Sequence, residues 1–153
     1  VLCALGAPPL AAEELPQIDL PPGFVIELYA PDVPNARQLA RSPAGIVYAG
    51  SREDGSVRAV IDRDGDFRAD EVHVIARGLN MPSGVTWHDG SLYVAATGRI
   101  LRYDDIDARV TDPPAPVIVT DSLPNDRHHG WKFIDFGPDG LLYVPVGAPC
   151  NVC

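Results

Sequence analysis

The residues best suited to chemistry lie in one short stretch, 124–133, which reads Pro-Asn-Asp-Arg-His-His-Gly-Trp-Lys-Phe. His128 and His129 are adjacent, and an imidazole that titrates near neutrality is a natural base for removing a proton from a hydroxyl group. Asp126 and Arg127 place a carboxylate and a cation directly before the pair. Two interpretations fit the histidines: a general base in a binding site, or two side chains that only satisfy turn and backbone groups.

A repeated pattern indicates which elements must position this stretch. Gly-x-x-Tyr occurs three times, and its tyrosines, Tyr48, Tyr93 and Tyr143, are 45 and then 50 residues apart. Each copy follows a turn and begins a short apolar run. A period of this size, with short strands between turns, is typical of the blades of a β-propeller.

The strands between these turns predict an all-β fold of about two and a half to three blades of a six-bladed propeller. The first blade is predicted at 36–41, 46–50, 56–61 and 71–76, the second at 84–87, 92–95, 100–103 and 116–120, and the third begins at 131–136 and 141–146. Propellers have about four blades or more, so this number cannot close a ring. We therefore expect residues 24–153 to be the N-terminal blades of a longer protein.

Composition narrows the possible partners. The formal net charge of -9 argues against binding to nucleic acid, which needs a basic surface, and against anionic membrane surfaces. The 14 glycines and 16 prolines suit many short strands joined by tight turns. No apolar stretch is long enough to predict a membrane span.

The N-terminus predicts export. Residues 1–12 are apolar and rich in small side chains, as in the remnant of a signal peptide, and residues 13–23 form a Pro-rich lead-in. We therefore expect a periplasmic or secreted protein. Residues 24–29 alternate enough to predict a strand that closes the ring by pairing with the last blade.

The predicted blades bring three loops to one mouth of the central channel: 33–37, 79–84 and 125–130. Besides the histidines they carry Arg37, Asn80, Asp126 and Arg127, with Arg77 and Lys132 beside them. Cations gathered at the axis of an otherwise acidic protein favour an anionic ligand.

Residues 62–70 place four carboxylates in one turn. Asp62, Asp64, Asp66 and Asp70 stand at its positions 1, 3, 5 and 9, a spacing that can wrap oxygen ligands around a structural Ca²⁺ ion. Phe67 occupies the sixth position, where such loops use glycine for a sharp bend. A solvated turn without metal is the alternative interpretation.

Cys150 and Cys153 form a Cys-x-x-Cys pair. In an exported protein they can close a disulfide or remain thiols. Half of a zinc site and a covalent haem site are the other interpretations of this spacing.

With these motifs in view, the chain resembles the glucose/sorbosone dehydrogenase family of six-bladed, pyrroloquinoline quinone (PQQ)-dependent enzymes, and most of all its sorbosone dehydrogenase branch. The likeness runs from residue 20 onward through His-His-Gly-Trp-Lys-Phe (128–133), Phe-Gly-Pro-Asp-Gly (136–140), Leu-Pro-Pro-Gly-Phe (20–24), Val-Pro-Asn-Ala-Arg (33–37), Gly-Leu-Asn-Met-Pro (78–82) and Arg-Tyr-Asp-Asp-Ile (102–106).

The resemblance implies a mechanism and cofactors. A histidine deprotonates the hydroxyl of an aldose or sorbosone-like sugar while hydride passes to PQQ, which Ca²⁺ polarises, and an electron acceptor such as a cytochrome or quinone then reoxidises the cofactor. Counting back from Gly137 places the base on His129, and because the motif is one residue longer than in close relatives, His128 is the alternative. By position, Arg127, Arg37, Asn80 and Asp126 would contact cofactor or substrate, and PQQ's three carboxylates suit a cationic mouth.

The chain departs from the family's pattern at one position, and two other functions also fit the sequence. Many relatives have Gly-Asp where this chain has Gly147-Ala148, which counts against a polar role at that position. The family's calcium ligands and further PQQ-binding cations lie in later blades, so this chain alone is expected to be inactive. The rivals are a calcium-dependent, lactonase-like hydrolase and a propeller that binds without catalysis.

Overall fold

A computed structural model describes residues 18–152. Its first sheet, blade one, contains β1 (Ala36–Arg41), β2 (Val47–Ser51), β3 (Val57–Ile61) and β4 (Glu71–Ala76). All neighbouring strands are antiparallel, in the order β1-β2-β3-β4. The predicted strands of this blade are confirmed to within one residue.

Blade two repeats the same meander. It contains β5 (Gly84–His88), β6 (Ser91–Ala96), β7 (Arg99–Tyr103) and β8 (Val117–Thr120), paired antiparallel in chain order. A 3-10 turn, Ile106–Ala108, interrupts the connection between the last two strands. The predicted strands of blade two are confirmed as well.

Blade three is represented by a two-stranded sheet of β9 (Asp135–Phe136) and β10 (Leu142–Tyr143), much shorter than the predicted strands at 131–136 and 141–146. Extending the register in which Tyr143 faces Asp135 would set Pro145 opposite Phe133. Proline has no N–H to donate to a strand ladder, so the pairing ends before it.

The blades are stacked side by side as the repeat predicted. The innermost strands β1 and β5 contact each other, and β5 contacts β9. The repeat tyrosines show the same order: Tyr48 is fully buried under blade two, and Tyr93 meets Phe136 of blade three edge to face at 4.9 Å. Tyr143, on the outermost face, is 58% exposed. The fold is therefore all-β, with consecutive blades of a propeller.

The main core fills the space between blades one and two. Buried aliphatic side chains from both sheets meet there, including Val57, Val85 and Leu92. Within this apolar layer the Tyr48 hydroxyl donates to Asp107 Oδ1 at 2.6 Å, and Trp87 Nε1 donates to the same oxygen at 3.2 Å. One carboxylate oxygen thus satisfies a polar group from each blade.

A single side chain connects all three blades. Gln38 on β1 accepts, through Oε1, the N–H groups of Val85 on β5 and Ile134 in blade three, at 3.3 and 3.1 Å. Its Nε2 donates to the Ile134 carbonyl at 2.8 Å. The amide therefore makes hydrogen bonds that a neighbouring strand would supply at the inner edges of blades two and three.

Residues 24–29 form no strand in the described structure, and their pairing with the last blade of a ring stays a prediction. The segment has no strand pairing within residues 18–152, and Val25 is 80% exposed. Isolated strands do not persist in water without a partner for their backbone groups. The predicted signal remnant at 1–12 lies outside the described residues, as do residues 13–17 of the lead-in.

Within residues 18–152, no helix has the length and apolar character needed to cross a lipid bilayer.

Replacing Gln38 with leucine should lower the free energy of unfolding by about 2–4 kcal/mol, because each half-buried backbone group left without a partner costs about 1–3 kcal/mol. Urea denaturation of the parent and the variant measures this difference. Leu39→Ala on the same strand is the control, since Leu39 is 60% exposed. Equal loss in both variants would show that the amide is not the connection between blades.

Candidate functional site

The histidine pair lies in a turn of the predicted loop 125–130, just before the predicted strand at 131–136. His129 has a left-handed backbone, with φ of 54°, and the ring centroids of His128 and His129 are 3.9 Å apart. The alternation of a strand would have pointed the rings to opposite sides. Because the two histidines lie in a turn, both imidazoles lie in one cavity.

The orientation of His129 is determined by the loop that follows β10. Its Nδ1 lies 3.1 Å from the carbonyl oxygen of Ala148. A carbonyl oxygen only accepts hydrogen bonds, so Nδ1 carries a hydrogen, and in the neutral imidazole Nε2 then has the free lone pair. Gly147 permits this approach, since a Cβ atom there would overlap the His129 carbonyl. Position 148 therefore has a polar role through its backbone, although its side chain is apolar.

The cavity around the pair has a volume of about 320 Å³. Its walls come from the turn and from the loop after β10. Its lining residues are Pro124, Asp126, His128, His129, Gly130, Lys132, Val146, Gly147 and Pro149. One face is thus apolar, and the other carries the groups able to hydrogen-bond or titrate. This is a typical composition for a small-molecule site.

Lys132 lies at the inner wall of the cavity and is 1% exposed. Its Nζ donates to the carbonyls of Thr97 and Gly130 at 2.7 and 2.8 Å. Burial lowers the pKa of this ammonium group below its ordinary value. Its main chain also bonds to Ser83 Oγ, so one residue connects the histidine turn to two loops of blade two.

Two of the predicted mouth loops meet through side chains. Arg127 donates to Asn80 Oδ1 at 2.8 Å, and Asn80 Nδ2 donates to Asn125 Oδ1 at 3.3 Å. Arg127 also pairs with Glu53, at 3.1 Å. The structure thus places Asn80 and Arg127 together, next to the turn that carries the histidines.

Sequence reasoning missed Arg52, Glu53 and Trp131. The Arg52 guanidinium lies 4.3 Å above the Trp131 ring, and Arg52 Nε is 3.2 Å from a Glu53 oxygen. Both charged residues follow β2. In an antiparallel meander, the loop after the second strand returns to the end at which the first strand begins. That rule was available from the predicted strands and would have placed them at the mouth.

Arg37 is the predicted mouth residue that the structure leaves apart. It is exposed near the start of β1, and its side chain forms no ion pair or hydrogen bond with another of the described residues. Asp126 lines the histidine cavity but is exposed.

The 62–70 loop lies at the opposite end of blade one from the mouth, because it connects β3 to β4. Carboxylate oxygens of Asp62, Asp64 and Asp70 come within 4.8 Å of one another. Asp66 is not part of this group, and its Oδ1 accepts the N–H of Arg68 at 2.8 Å. Three of the four predicted ligands thus lie close together, and the fourth, Asp66, lies outside their group.

Cys150, two residues after Ala148, is disulfide-bonded. This state agrees with the first of the three interpretations of the Cys-x-x-Cys pair. Cys153, its predicted partner, lies outside the described residues.

The family model described as "Domain of unknown function (DUF7133)" matches residues 11–152. None of the curated proteins matches the chain.

Among solved structures, the PQQ-bound aldose sugar dehydrogenase of Streptomyces coelicolor is similar in fold, with a TM-score of 0.58 and 23% identity. The similarity covers 81% of this chain and 41% of that one, so this chain spans less than half of the dehydrogenase. Hydrazine synthase of Kuenenia stuttgartiensis matches with a TM-score of 0.49, 20% identity, and coverage of 74% of this chain and 30% of its own. The second likeness is too low to carry an argument.

Lys132 should titrate below 10.5, the ordinary pKa of a lysine side chain. At pH values between the lowered pKa of folded Lys132 and the ordinary pKa of 10.5 in the unfolded chain, the unfolded chain binds more protons than the folded one. The free energy of unfolding should therefore rise with pH through that window. Nitrogen-15 NMR of the side chain measures the midpoint directly, because the sequence contains one lysine. The same titration in urea is the control, and a folded-state midpoint at or above 10.5 would contradict the burial argument.

Calcium should raise the thermal midpoint of the parent protein, and Asp64→Ala should abolish that increase. Asp66→Ala is the matched control, because Asp66 lies outside the carboxylate trio. Differential scanning calorimetry with Ca²⁺ and with chelator compares the three proteins. An unchanged parent midpoint would argue for the solvated turn.

Proposed function

The chain belongs to the DUF7133 family, and from this premise we propose that it forms part of a quinoprotein dehydrogenase that oxidises an aldose or a sorbosone-like sugar. The observation that carries the proposal is the geometry of His129. Its Nδ1 is held by the Ala148 carbonyl, and its other nitrogen is free, inside a cavity at the mouth of a propeller.

His129 acts as the general base in this proposal. An imidazole with its Nδ1 hydrogen engaged presents Nε2 as an acceptor, the form needed to take a proton from a sugar hydroxyl. His129 is half-buried and His128 is exposed. The structure therefore favours His129 over its neighbour, which packs against the ring and helps to restrict its motion.

The residues at the mouth suit PQQ, a ligand with three carboxylates. Arg127 and Arg52 offer planar guanidinium groups that can bind carboxylates through two hydrogen bonds, and Asn80 adds an amide. The side chains of Arg127 and Glu53 are both largely exposed, so their ion pair is of the weak surface kind that a ligand carboxylate can replace. We propose that Arg127, Arg52 and Asn80 hold the cofactor, with Arg37 at the rim.

PQQ, when bound, supplies the hydride acceptor that no side chain can provide. The chain's own contribution is to orient the sugar hydroxyl, remove its proton at His129 Nε2, and limit water through the apolar wall of Val146 and Pro149. In support, the similar Streptomyces coelicolor structure is described as a PQQ-bound aldose sugar dehydrogenase.

A lactonase-like hydrolase would need acidic and amide ligands for calcium at the axis. In residues 18–152, the carboxylate trio close enough for a metal lies on the 62–70 loop, and Glu53 at the mouth is engaged by arginines. These contacts favour the dehydrogenase. A structural Ca²⁺ in that loop, periplasmic or secreted location, and a cytochrome or quinone as electron acceptor remain part of the proposal.

The test is dye-linked oxidation of aldoses and sorbosone by the full-length protein reconstituted with PQQ and Ca²⁺. His129→Ala should lower kcat by about 100-fold or more, the effect expected for loss of a general base. His128→Ala should have a smaller effect, because it removes a packing partner rather than the base.

His73→Ala is the control, since His73 lies on β4 and bonds to Glu71 away from the mouth. Parental kcat in the His129 variant would refute the base assignment. Absence of sugar oxidation in a PQQ-loaded parent protein would refute the dehydrogenase itself and leave the binding propeller as the better interpretation.

A further inference from the structure

The chain contains one lysine, and that lysine is buried. Eleven of the 12 cationic residues are arginines, and Lys132 is the remaining one. A lysine side chain is almost never fully buried unless it is paired. Its location inside the histidine cavity, at 1% exposure, therefore needs a specific reason.

The hydrogen bonds of Lys132 leave its charge without a counter-ion. An ammonium group has three N–H donors, and two of them reach the neutral carbonyls of Thr97 and Gly130. Among the described residues no carboxylate forms an ion pair with Nζ, and Asp126, which lines the same cavity, is exposed. Removing an unpaired charge from water is costly, so a bound anion would offset the cost.

The two hydrogen bonds to carbonyl oxygens also fix the position of the Lys132 ammonium group. Gly130 directly follows His129, and Thr97 is the residue whose N–H and hydroxyl both bond to the Asn80 carbonyl. The ammonium is thereby held between the imidazole pair and the Asn80 loop. A ligand oxygen in the cavity would meet this charge and the histidines together.

We propose that Lys132 makes the histidine cavity an anion-binding position that takes a carboxylate oxygen of the ligand. The inference deepens the proposed function, on which it rests for the choice of ligands. The carboxylate has two possible sources, an acidic sugar substrate or the quinone cofactor, and the experiment is arranged to tell them apart.

The test follows the His128 and His129 ring signals of the full-length protein by NMR. Sodium acetate is the simplest probe, with sodium chloride at equal ionic strength as its control. Glucuronate and glucose then form a matched pair, because they differ in the carboxylate at one carbon. PQQ is titrated separately.

We expect acetate to shift the histidine signals in a saturable way and chloride to leave them unchanged. A shift with glucuronate but not with glucose assigns the position to the substrate carboxylate. A shift with PQQ that glucuronate neither reproduces nor competes with assigns it to the cofactor. Either result supports an anion position.

Lys132→Met removes the charge and nearly preserves the side-chain volume. It should weaken binding of the effective anion by about 30-fold or more, the loss expected when one partner of a buried charge pair is truncated. Lys132→Arg, which keeps the charge, should lose less than the methionine variant. If the methionine variant does not fold, the parent protein still tests the proposal through the comparisons of glucuronate with glucose and of acetate with chloride.

Unchanged histidine signals with acetate, glucuronate and PQQ would overturn the inference. Full binding by a folded Lys132→Met protein would overturn it as well. Neither result depends on turnover. If anions bind through Lys132 but no sugar is oxidised, the dehydrogenase proposal fails alone, and if sugars are oxidised without anion binding, the role of Lys132 fails alone.

Discussion

The Gln38 carboxamide supplies the contact on which the arrangement of the blades depends. The inner strand of a propeller blade has one edge that no strand of its own sheet can satisfy, and at the centre of this chain one amide bonds to the exposed edges of two other blades. Buried backbone groups must find partners. Because Gln38 provides them for both β5 and the start of blade three, it determines how closely the histidine turn approaches blade two.

The geometry of the site depends on how closely the histidine turn approaches blade two. Close to Gln38, the Ser83 hydroxyl donates to the Lys132 carbonyl and accepts the Lys132 N–H. Gly84 permits this contact, since a Cβ atom there would overlap the Lys132 carbonyl. The Lys132 ammonium then holds the turn of His129. Core packing, the position of His129 and the charge in the cavity are therefore coupled through a few neighbouring bonds, most of which join one blade to another.

Much of the fold could be predicted because its signals are local. Period-two alternation and turn residues located the strands of two blades, and the spacing of Tyr48, Tyr93 and Tyr143 gave their order. The predictions depart from the described structure where the deciding interaction is not local. Residues 24–29 alternate like a strand but have no strand partner in residues 18–152, and the strands of blade three stop short at Pro145. Alternation shows that a segment can pair, and it does not show that a partner is present.

The sequence alone determined the kind of fold, the end of the blades that carries the histidines, and the residue types available there, because strand periodicity and turn chemistry are properties of short segments. Only the tertiary structure decided that His129 is oriented by the Ala148 carbonyl, that Glu53 engages Arg127, that Arg37 stands apart and that the one lysine is buried. Each of these features depends on how separate loops are arranged around one another. Their distances depend on how the blades pack, and no local pattern encodes that packing.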